Sequence, residues 1–417
     1  MSAGVNRRRV LVLADQAASS LSNVLVAVLV ARSFPDDAEP FAAFSLAVMV
    51  FQFTVGSVRG LIFEPELSLH GDRDAAEVRR VMPSYIGATV LVGGVVAIAI
   101  TVAAAFVGGM AGSALAALAV VLPLVLVQDA WRYVFIVRRP AAALAIDLVW
   151  LTSSCVAILL APEGVSVGWY VLAWGAGGIA GAVVATALGR LRPAMSRPWA
   201  YLVDHRDLGL RFLGEFAASQ AAFYIALLSC GWILGLTAYG AVRGAFLFIG
   251  PLQMLAAAVI MTTFPEARRV RDQPDRVVRL VRHATLLLCG ATVAWTAVGV
   301  ALPDSIGEAI IGATWAEAQG VLVPIGLTMI GMSIIACALV GVRAFDGIKS
   351  FGARMQSIPF QLACPVIGAF VGDLTGFVVG MAVGYAVSAA IWLATLERVR
   401  RSVSVPGSVS EPAVVGT

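Results

Sequence analysis

The stretch AGSALAALAVVLPLVLVQDAWRYVFI, residues 111–136, decides the fold. It carries no charged side chain from Ala111 to Val127, and it ends in a polar group formed by Gln128, Asp129 and Arg132. A helix rises about 1.5 Å per residue, so roughly 20 apolar residues cross the hydrocarbon core of a bilayer. This stretch is long enough to cross it, and segments of similar composition lie on both sides.

The whole chain shares this composition. Apolar residues make up 60% of the 417 residues and charged residues only 13%, about half of the share that soluble domains carry. The pattern predicts an all-α polytopic membrane protein with about twelve transmembrane helices. The apolar segments are residues 10–31, 41–63, 82–107, 111–136, 141–161, 166–189, 209–235, 239–263, 283–303, 319–342, 352–372 and 374–396.

The basic residues predict the orientation. They cluster at both ends of the chain and in alternate connections, whereas the opposite connections hold only Arg32 beside several acids. Because positively charged loops remain in the cytoplasm, we expect both termini to be cytoplasmic in a plasma-membrane protein. The same scattered placement argues against a nucleic-acid partner.

A repeat at an offset of 200 residues predicts two pseudo-symmetric six-helix lobes. DQAAS at 15–19 matches EFAAS at 215–219, and FEPE at 63–66 matches TFPE at 263–266. Two halves with the same orientation are related by an axis along the membrane normal. We expect an N-terminal lobe over 1–189, a cytoplasmic loop over 190–208, a C-terminal lobe over 209–401 and a disordered tail over 402–417.

The sequence lacks the residue patterns that metal binding, disulfide frameworks and enzyme catalysis require. The five cysteines lie in apolar runs without a CxxC pair or a neighbouring histidine, so we expect neither a metal site nor a disulfide framework. No nucleophile, phosphate-binding or zinc-protease motif is present, and we predict a protein that is not an enzyme and needs no cofactor. What remains are polar side chains inside spans, which are costly in lipid and commonly face a cavity or a partner helix.

Two acids at equivalent positions of the repeat form the first candidate group. Asp15 and Glu215 lie about 6–9 Å inside the cytoplasmic ends of their spans and would face each other across the axis. One interpretation is a proton or cation site, or a gate at the inner mouth. The other is an acid stabilised by the positive end of a helix dipole.

A substrate cavity is the second candidate. Arg59 and Arg243 could bind phosphate through their planar forks, although both are near enough to a helix end to snorkel to the headgroups. Neutral groups could bind sugar hydroxyls or act as ordinary interhelical hydrogen bonds. These neutral residues are Asn23, Gln52, Gln220, Tyr224 and Gln253.

The third candidate is a structural cluster in the hairpin around Arg139-Pro140. Arg132 precedes this turn and Asp147 follows it at similar depth, roughly 10 Å away, while Asp129 is one helical turn from Arg132. Two acids flanking one arginine would satisfy all three groups, so we expect a cluster of Asp129, Arg132 and Asp147.

Short motifs carry a family resemblance. The opening pattern of Asp15-Gln16 with Ser19, Asn23 and Ala31-Arg32, and the later Gln128-Asp129-x-x-Arg132-Tyr133 with Pro140 and Asp147, look like polysaccharide and oligosaccharide-lipid flippases. These belong to the multidrug/oligosaccharidyl-lipid/polysaccharide (MOP) exporter superfamily, which includes the MATE transporters. Other members of the superfamily carry two additional C-terminal spans, as in the lipid II flippase branch, and this chain ends at twelve.

The resemblance implies a function and its partners. It implies two six-helix lobes around a cavity lined by spans 1, 2, 7 and 8, and movement of a polyprenyl-pyrophosphate-linked glycan to the outer leaflet by alternating access. Membrane lipids, a polysaccharide polymerase and glycosyltransferases would be partners. Two alternatives remain open: a cation-coupled multidrug exporter of the same superfamily, and a non-transporting scaffold for polysaccharide synthesis.

Overall fold

The computed structural model describes residues 2–66, 75–189, 197–345 and 347–404, and these are almost entirely helical. Six helices lie before the predicted inter-lobe loop: α1 (Ser2–Arg32), α2 (Glu39–Val58, continued by a π-helical turn, Arg59–Phe63), α3 (Ala75–Val107), α4 (Gly109–Arg138), α5 (Pro140–Leu159) and α6 (Val167–Gly189). The remaining helices are α7 (Pro198–Asp204), α8 (Arg206–Leu234), α9 (Leu236–Arg269), α10 (Pro274–Ala301), α11 (Asp304–Ile311), α12 (Trp315–Gly320), α13 (Leu322–Phe345) and α14 (Gly347–Ser404).

The helices match the apolar segments. Each of the twelve predicted segments overlaps a helix, and the last two fall on the two arms of α14, which breaks at Gly372 and Asp373. Within the described ranges, nine helices are long and apolar enough to cross a membrane, and the bent pair Arg206–Ala218 and Gln220–Leu234 makes ten. The chain is an all-α, multi-pass membrane protein, as predicted.

Short turns separate several of the long helices. Gly108 adopts a φ of +64° between α3 and α4, and Gly235 a φ of +93° between α8 and α9. Both are conformations that favour glycine because they crowd a Cβ atom. Pro140 begins α5 where no intrahelical N–H bond is needed, which produces the tight α4–α5 hairpin.

The chain divides into two compact units. One contains Met1–Phe248 and Leu302–Val321, and the other Ile249–Ala301 and Leu322–Thr417. The expected lobes over 1–189 and 209–401 stay a prediction. Of the expected loop and tail, α7 occupies part of the first and α14 runs on to Ser404, while residues 190–196 and 405–417 lie outside the described ranges.

Helix α4 is central to the first unit. It packs against α2, α3, α5 and α6. Leu118, Leu122, Val125 and Leu126 on this helix are fully or almost fully buried. Another side of α4 is exposed at Val120 and Leu124, and in a membrane such a side faces lipid, so the helix is apolar all round before Gln128.

Helix α2 approaches α8 closely at its π-helical turn. A Cβ atom on Gly60 would lie 3.1 Å from the backbone nitrogen of Leu213, and one on Gly209 would lie 2.5 Å from the carbonyl oxygen of Leu61. Backbones that approach this closely need small residues at the contact. Glycines on both helices therefore allow the end of α2 to pack against the start of α8.

Candidate functional site

The polar end of α4 holds the candidate site. Gln128 and Arg132 are four residues apart and lie on one face of the helix, while Asp129 is displaced around the helix from Arg132. Gln128 and Arg132 therefore face one set of neighbouring helices, and Asp129 faces another.

Arg132 joins three helices. Its Nε donates to Asp147 Oδ2 on α5 at 2.7 Å, and its Nη2 donates to Asp15 Oδ2 on α1 at 2.6 Å. Gln128 Nε2 donates to the other oxygen of Asp147 at 2.9 Å. The Asp15 side chain is 0% exposed, Asp147 5% and Arg132 11%, so the two acids are charge-paired out of contact with solvent or lipid.

Asp129 pairs with a different arginine. Arg59, at the start of the π-helical turn of α2, donates through Nε to Asp129 Oδ2 at 2.8 Å and through Nη2 to Oδ1 at 2.5 Å. This is a bidentate pair, the strongest form of arginine–carboxylate contact. The structure thus brings Arg132 and Asp147 together, as expected, but places Asp15 rather than Asp129 on the second side of Arg132.

The geometry of the helix explains this difference. Residues three apart differ by about 60° around a helix, enough for α4 to direct Arg132 at α1 and α5 and Asp129 at α2. Sequence reasoning considered only contacts within the α4–α5 hairpin. It missed the two partners supplied by α1 and α2.

The cluster contains two buried acceptors without a partner among the described residues. Asp15 Oδ1 and Gln128 Oε1 are enclosed, and neither accepts a hydrogen bond from the described part of the chain. A buried acceptor without a donor is costly, and a proton or a water molecule would satisfy it. Within the described ranges, no group of three or more His, Cys, Asp or Glu side chains could hold a metal ion.

Arg59 differs from the other charged members in its exposure. Its side chain is 36% exposed, whereas that of its partner Asp129 is 6% exposed. A guanidinium has five N–H donors, and the fork to Asp129 uses the Nε edge. The edge formed by Nη1 and the second Nη2 hydrogen has no acceptor in the described part of the chain.

The other predicted residues lie outside this cluster, and two of them, Tyr224 and Arg243, are near enough to each other to interact electrostatically. Tyr224 packs edge-on against Phe53, with ring centroids 5.4 Å apart. Arg243 has a buried Nε without a partner among the described residues. Gln52 is half-buried, whereas the remaining side chains are exposed: Asn23, Glu215, Gln220 and Gln253. Their roles in a cavity or in coupling stay predictions.

A second polar group was not expected from the sequence. Tyr201 on α7 donates to Glu66 Oε2 at 3.0 Å, and its ring stacks on His205 with centroids 4.3 Å apart. The structure has a helix in the segment that the sequence predicts to be a cytoplasmic loop. The signal that could have revealed a helix there is Pro198, because proline is favoured in the first turn of a helix.

Comparison with known proteins identifies the fold. No protein-family model matches the chain, and no curated protein matches it in sequence. An inward-facing structure of a multidrug resistance MATE family transporter of the MOP superfamily matches with a TM-score of 0.70 and 14% identity, over 93% of this chain and 96% of that one. The chain has the MOP transporter fold.

Two other solved structures of the MOP fold agree. The lipid II flippase MurJ in an inward closed conformation matches with a TM-score of 0.71 and 11% identity, over 95% of this chain and 90% of that one. A MOP superfamily transporter from Pyrococcus furiosus matches with a TM-score of 0.61 and 14% identity, over 96% and 95% of the two chains. The MATE-like fold predicted from the resemblance is confirmed.

Proposed function

We propose that the protein carries a polyprenyl-pyrophosphate-linked oligosaccharide, a precursor of cell-surface polysaccharide, to the outer leaflet by alternating access. The observation that carries this proposal is the Arg59 guanidinium. It lies in an apolar span, it is partly exposed, and it keeps one edge of its fork for an acceptor. A planar cation of this kind matches a phosphate group at the boundary between lipid and water.

The position of Arg59 suits a lipid-linked cargo. It precedes Glu66, the end of the span, by seven residues, about 10 Å along the helix. At this depth the guanidinium would lie below the headgroups, on the path of a phosphate that crosses the membrane. Arg243, whose Nε–H is buried without a partner among the described residues, is a second donor that could bind the pyrophosphate.

Neutral polar groups would bind the glycan. The amides of Asn23, Gln52, Gln220 and Gln253 and the hydroxyl of Tyr224 are donors and acceptors of the kind that sugar hydroxyls require. With both termini in the cytoplasm, the cargo would enter from the cytoplasmic leaflet of the plasma membrane. Glycosyltransferases would supply it there, and a polymerase would use it on the other side.

A second candidate function is cation-coupled multidrug export. The observation in its favour is Asp15, a fully buried acid whose Oδ1 is unpartnered among the described residues and could take up a proton. The pairing of Asp15 with Arg132 argues for a structural role instead, because the guanidinium already neutralises the carboxylate. The MOP fold accommodates both functions, so identifying the transported molecule distinguishes them.

The test is transport by the purified protein in vesicles. Wild-type protein should move a fluorescent polyprenyl-pyrophosphate-linked glycan between leaflets, and Arg59→Ala or Arg243→Ala should reduce the rate at least tenfold. Lysine at either position should restore only part of the rate, because an ammonium ion lacks the planar fork. Arg32→Ala, at the exposed end of α1, is the matched control and should transport normally.

The same vesicles test the alternative. Efflux of a cationic dye driven by an ion gradient, without movement of the glycan lipid, would overturn the proposed cargo and support the exporter. Wild-type glycan transport by both alanine variants would show that the two arginines only anchor their helices.

A further inference from the structure

The Arg59–Asp129 pair places a carboxylate where it competes with a bound phosphate. Asp129 is buried on α4 and holds two donors of Arg59, while the Arg59 side chain as a whole is 36% exposed. Any anion that binds the other edge of the guanidinium lies within a few ångströms of the Asp129 carboxylate. The two negative groups therefore share one positive charge.

Sharing the guanidinium weakens the binding of an anion. Two unit charges at such separations interact strongly in a protein environment, where the effective dielectric constant is about 20 rather than 80. The Asp129 carboxylate cancels the net charge of Arg59, so an incoming anion gains directional hydrogen bonds but little Coulomb attraction. A pyrophosphate diester carries two negative charges, and it experiences this repulsion twice as strongly as a single charge would.

A transporter needs this balance, because cargo that binds too tightly is not released. We propose that Asp129 is a positioning residue that acts through Arg59 as a built-in counter-anion. It holds the guanidinium in place in the empty protein, limits the affinity for the pyrophosphate group of a lipid-linked cargo, and neutralises the Arg59 charge again when the cargo leaves. This inference rests on the proposed function and adds to it the residue that sets cargo release.

One measurement distinguishes a counter-anion from a purely structural residue. It is whether removing the Asp129 charge raises or lowers the affinity for an anion. If Asp129 served only to fix α2 against α4, its removal would loosen Arg59 and weaken anion binding. If Asp129 is a counter-anion, Asp129→Asn removes the competing charge, keeps the shape and one acceptor, and strengthens anion binding.

The experiment measures binding and transport on the same variants. Farnesyl pyrophosphate is the binding probe, added to the full-length protein in detergent and followed by tryptophan fluorescence. We expect Asp129→Asn to bind it at least tenfold more tightly than wild type. In vesicles, both the KM and the maximal rate of glycan-lipid transport should fall, because entry becomes easier and release slower. Asp36→Asn, an exposed loop acid, is the control and should behave as wild type.

A second variant covers the case in which Asp129→Asn does not fold. In Arg59→Lys the Asp129 carboxylate should capture the whole ammonium ion, so we expect farnesyl pyrophosphate binding to fall at least tenfold although the charge is conserved. Wild-type binding by Arg59→Lys would overturn the inference. Inorganic pyrophosphate should displace the probe only at a concentration much higher than that of the probe itself. Equal displacement would show that the site binds the free anion.

The outcomes also separate this inference from the proposed function. If wild type binds farnesyl pyrophosphate and folded Asp129→Asn binds it equally or more weakly, only the counter-anion role is wrong. If wild type does not bind the probe, the proposed cargo and the counter-anion role are both wrong.

Discussion

Arg132 donates from two nitrogens to two buried carboxylates, Asp147 and Asp15, that belong to different helices. Charges removed from water cost several kcal/mol each unless their partners compensate them. Here one guanidinium compensates two acids, and Gln128 supplies a further donor to Asp147. The charge balance at the contact among α1, α4 and α5 therefore depends on a single side chain.

Removing Arg132 alone should be more harmful than removing the whole group. Arg132→Ala leaves two uncompensated acids, and we expect it to cost about 3–5 kcal/mol of stability. The triple variant Asp15→Asn, Arg132→Gln and Asp147→Asn keeps the shapes and removes all three charges, so its loss should be smaller. Melting temperatures in detergent test this order, and normal melting of Arg132→Ala together with lost transport would mean that the group serves the transport cycle.

The sequence predicted part of this group, for a geometric reason. Arg132 and Asp147 flank a tight hairpin, and their equal distance from the turn places them side by side. Asp15 lies 117 residues from Arg132, and Arg59 lies 70 residues from Asp129. Contacts over such separations depend on how α1 and α2 pack against α4. The spacing of residues within a short segment does not predict that packing.

Among the elements, the second arm of α14 shows how small residues bring helices together. Gly376, Gly380 and Gly384 form a ridge, and a Cβ atom on each would overlap a backbone carbonyl of the first arm, that of Phe360 at 2.5 Å in the case of Gly384. The GxxxGxxxG pattern is typical of such close packing in membranes. The two arms therefore contact each other through their backbones.

Alanine at two glycines of the same unit should have opposite effects. Gly380→Ala places a methyl group on the Cys364 carbonyl, so the arms must separate and the melting temperature should fall by several degrees. Gly290→Ala on α10 meets nothing within 4 Å, and its better helix propensity should stabilise the protein by about 0.5–1 kcal/mol. Equal effects of the two substitutions would show that the arms do not pack as described.

The sequence indicates one of the two irregular places in the long helices and not the other. The sequence indicated the break in α14, because Asp373 interrupts an apolar run, and Asp373 indeed adopts a φ of +51°. It gave no sign of the π-helical turn at Arg59–Phe63, which adds a residue to one turn without changing the apolar pattern. That turn is the place from which α2 presents Arg59.

At the scale of the whole molecule, composition alone was enough to predict a multi-span helical protein. The apolar runs of a membrane helix are long, and backbone groups in lipid must bond within their own helix, so few other structures are possible. Within the described part of the chain, length and hydropathy recover nine or ten spans, with Leu21–Arg32 as a shorter apolar helix and the two arms of α14 joined in one.

The proposed orientation has a direct test. In a variant without native cysteines, a single cysteine at Asp37, in the connection between α1 and α2, should react with an impermeant maleimide added outside intact cells. A cysteine at Asp204, which ends α7, should react only after the membrane is opened. Both side chains are exposed, so accessibility depends on the side of the membrane. Labelling of Asp204→Cys from outside would reverse the topology.

The pairing of Asp15 with Arg132 has a consequence for biosynthesis. The ribosome makes Asp15 117 residues before Arg132, a delay of roughly 6–20 s at usual translation rates. During that interval the first helix carries an acid whose partner does not yet exist, and such a residue opposes entry into lipid. We therefore expect the first helix to integrate fully only after the fourth span emerges, so that its integration depends on a segment that follows it.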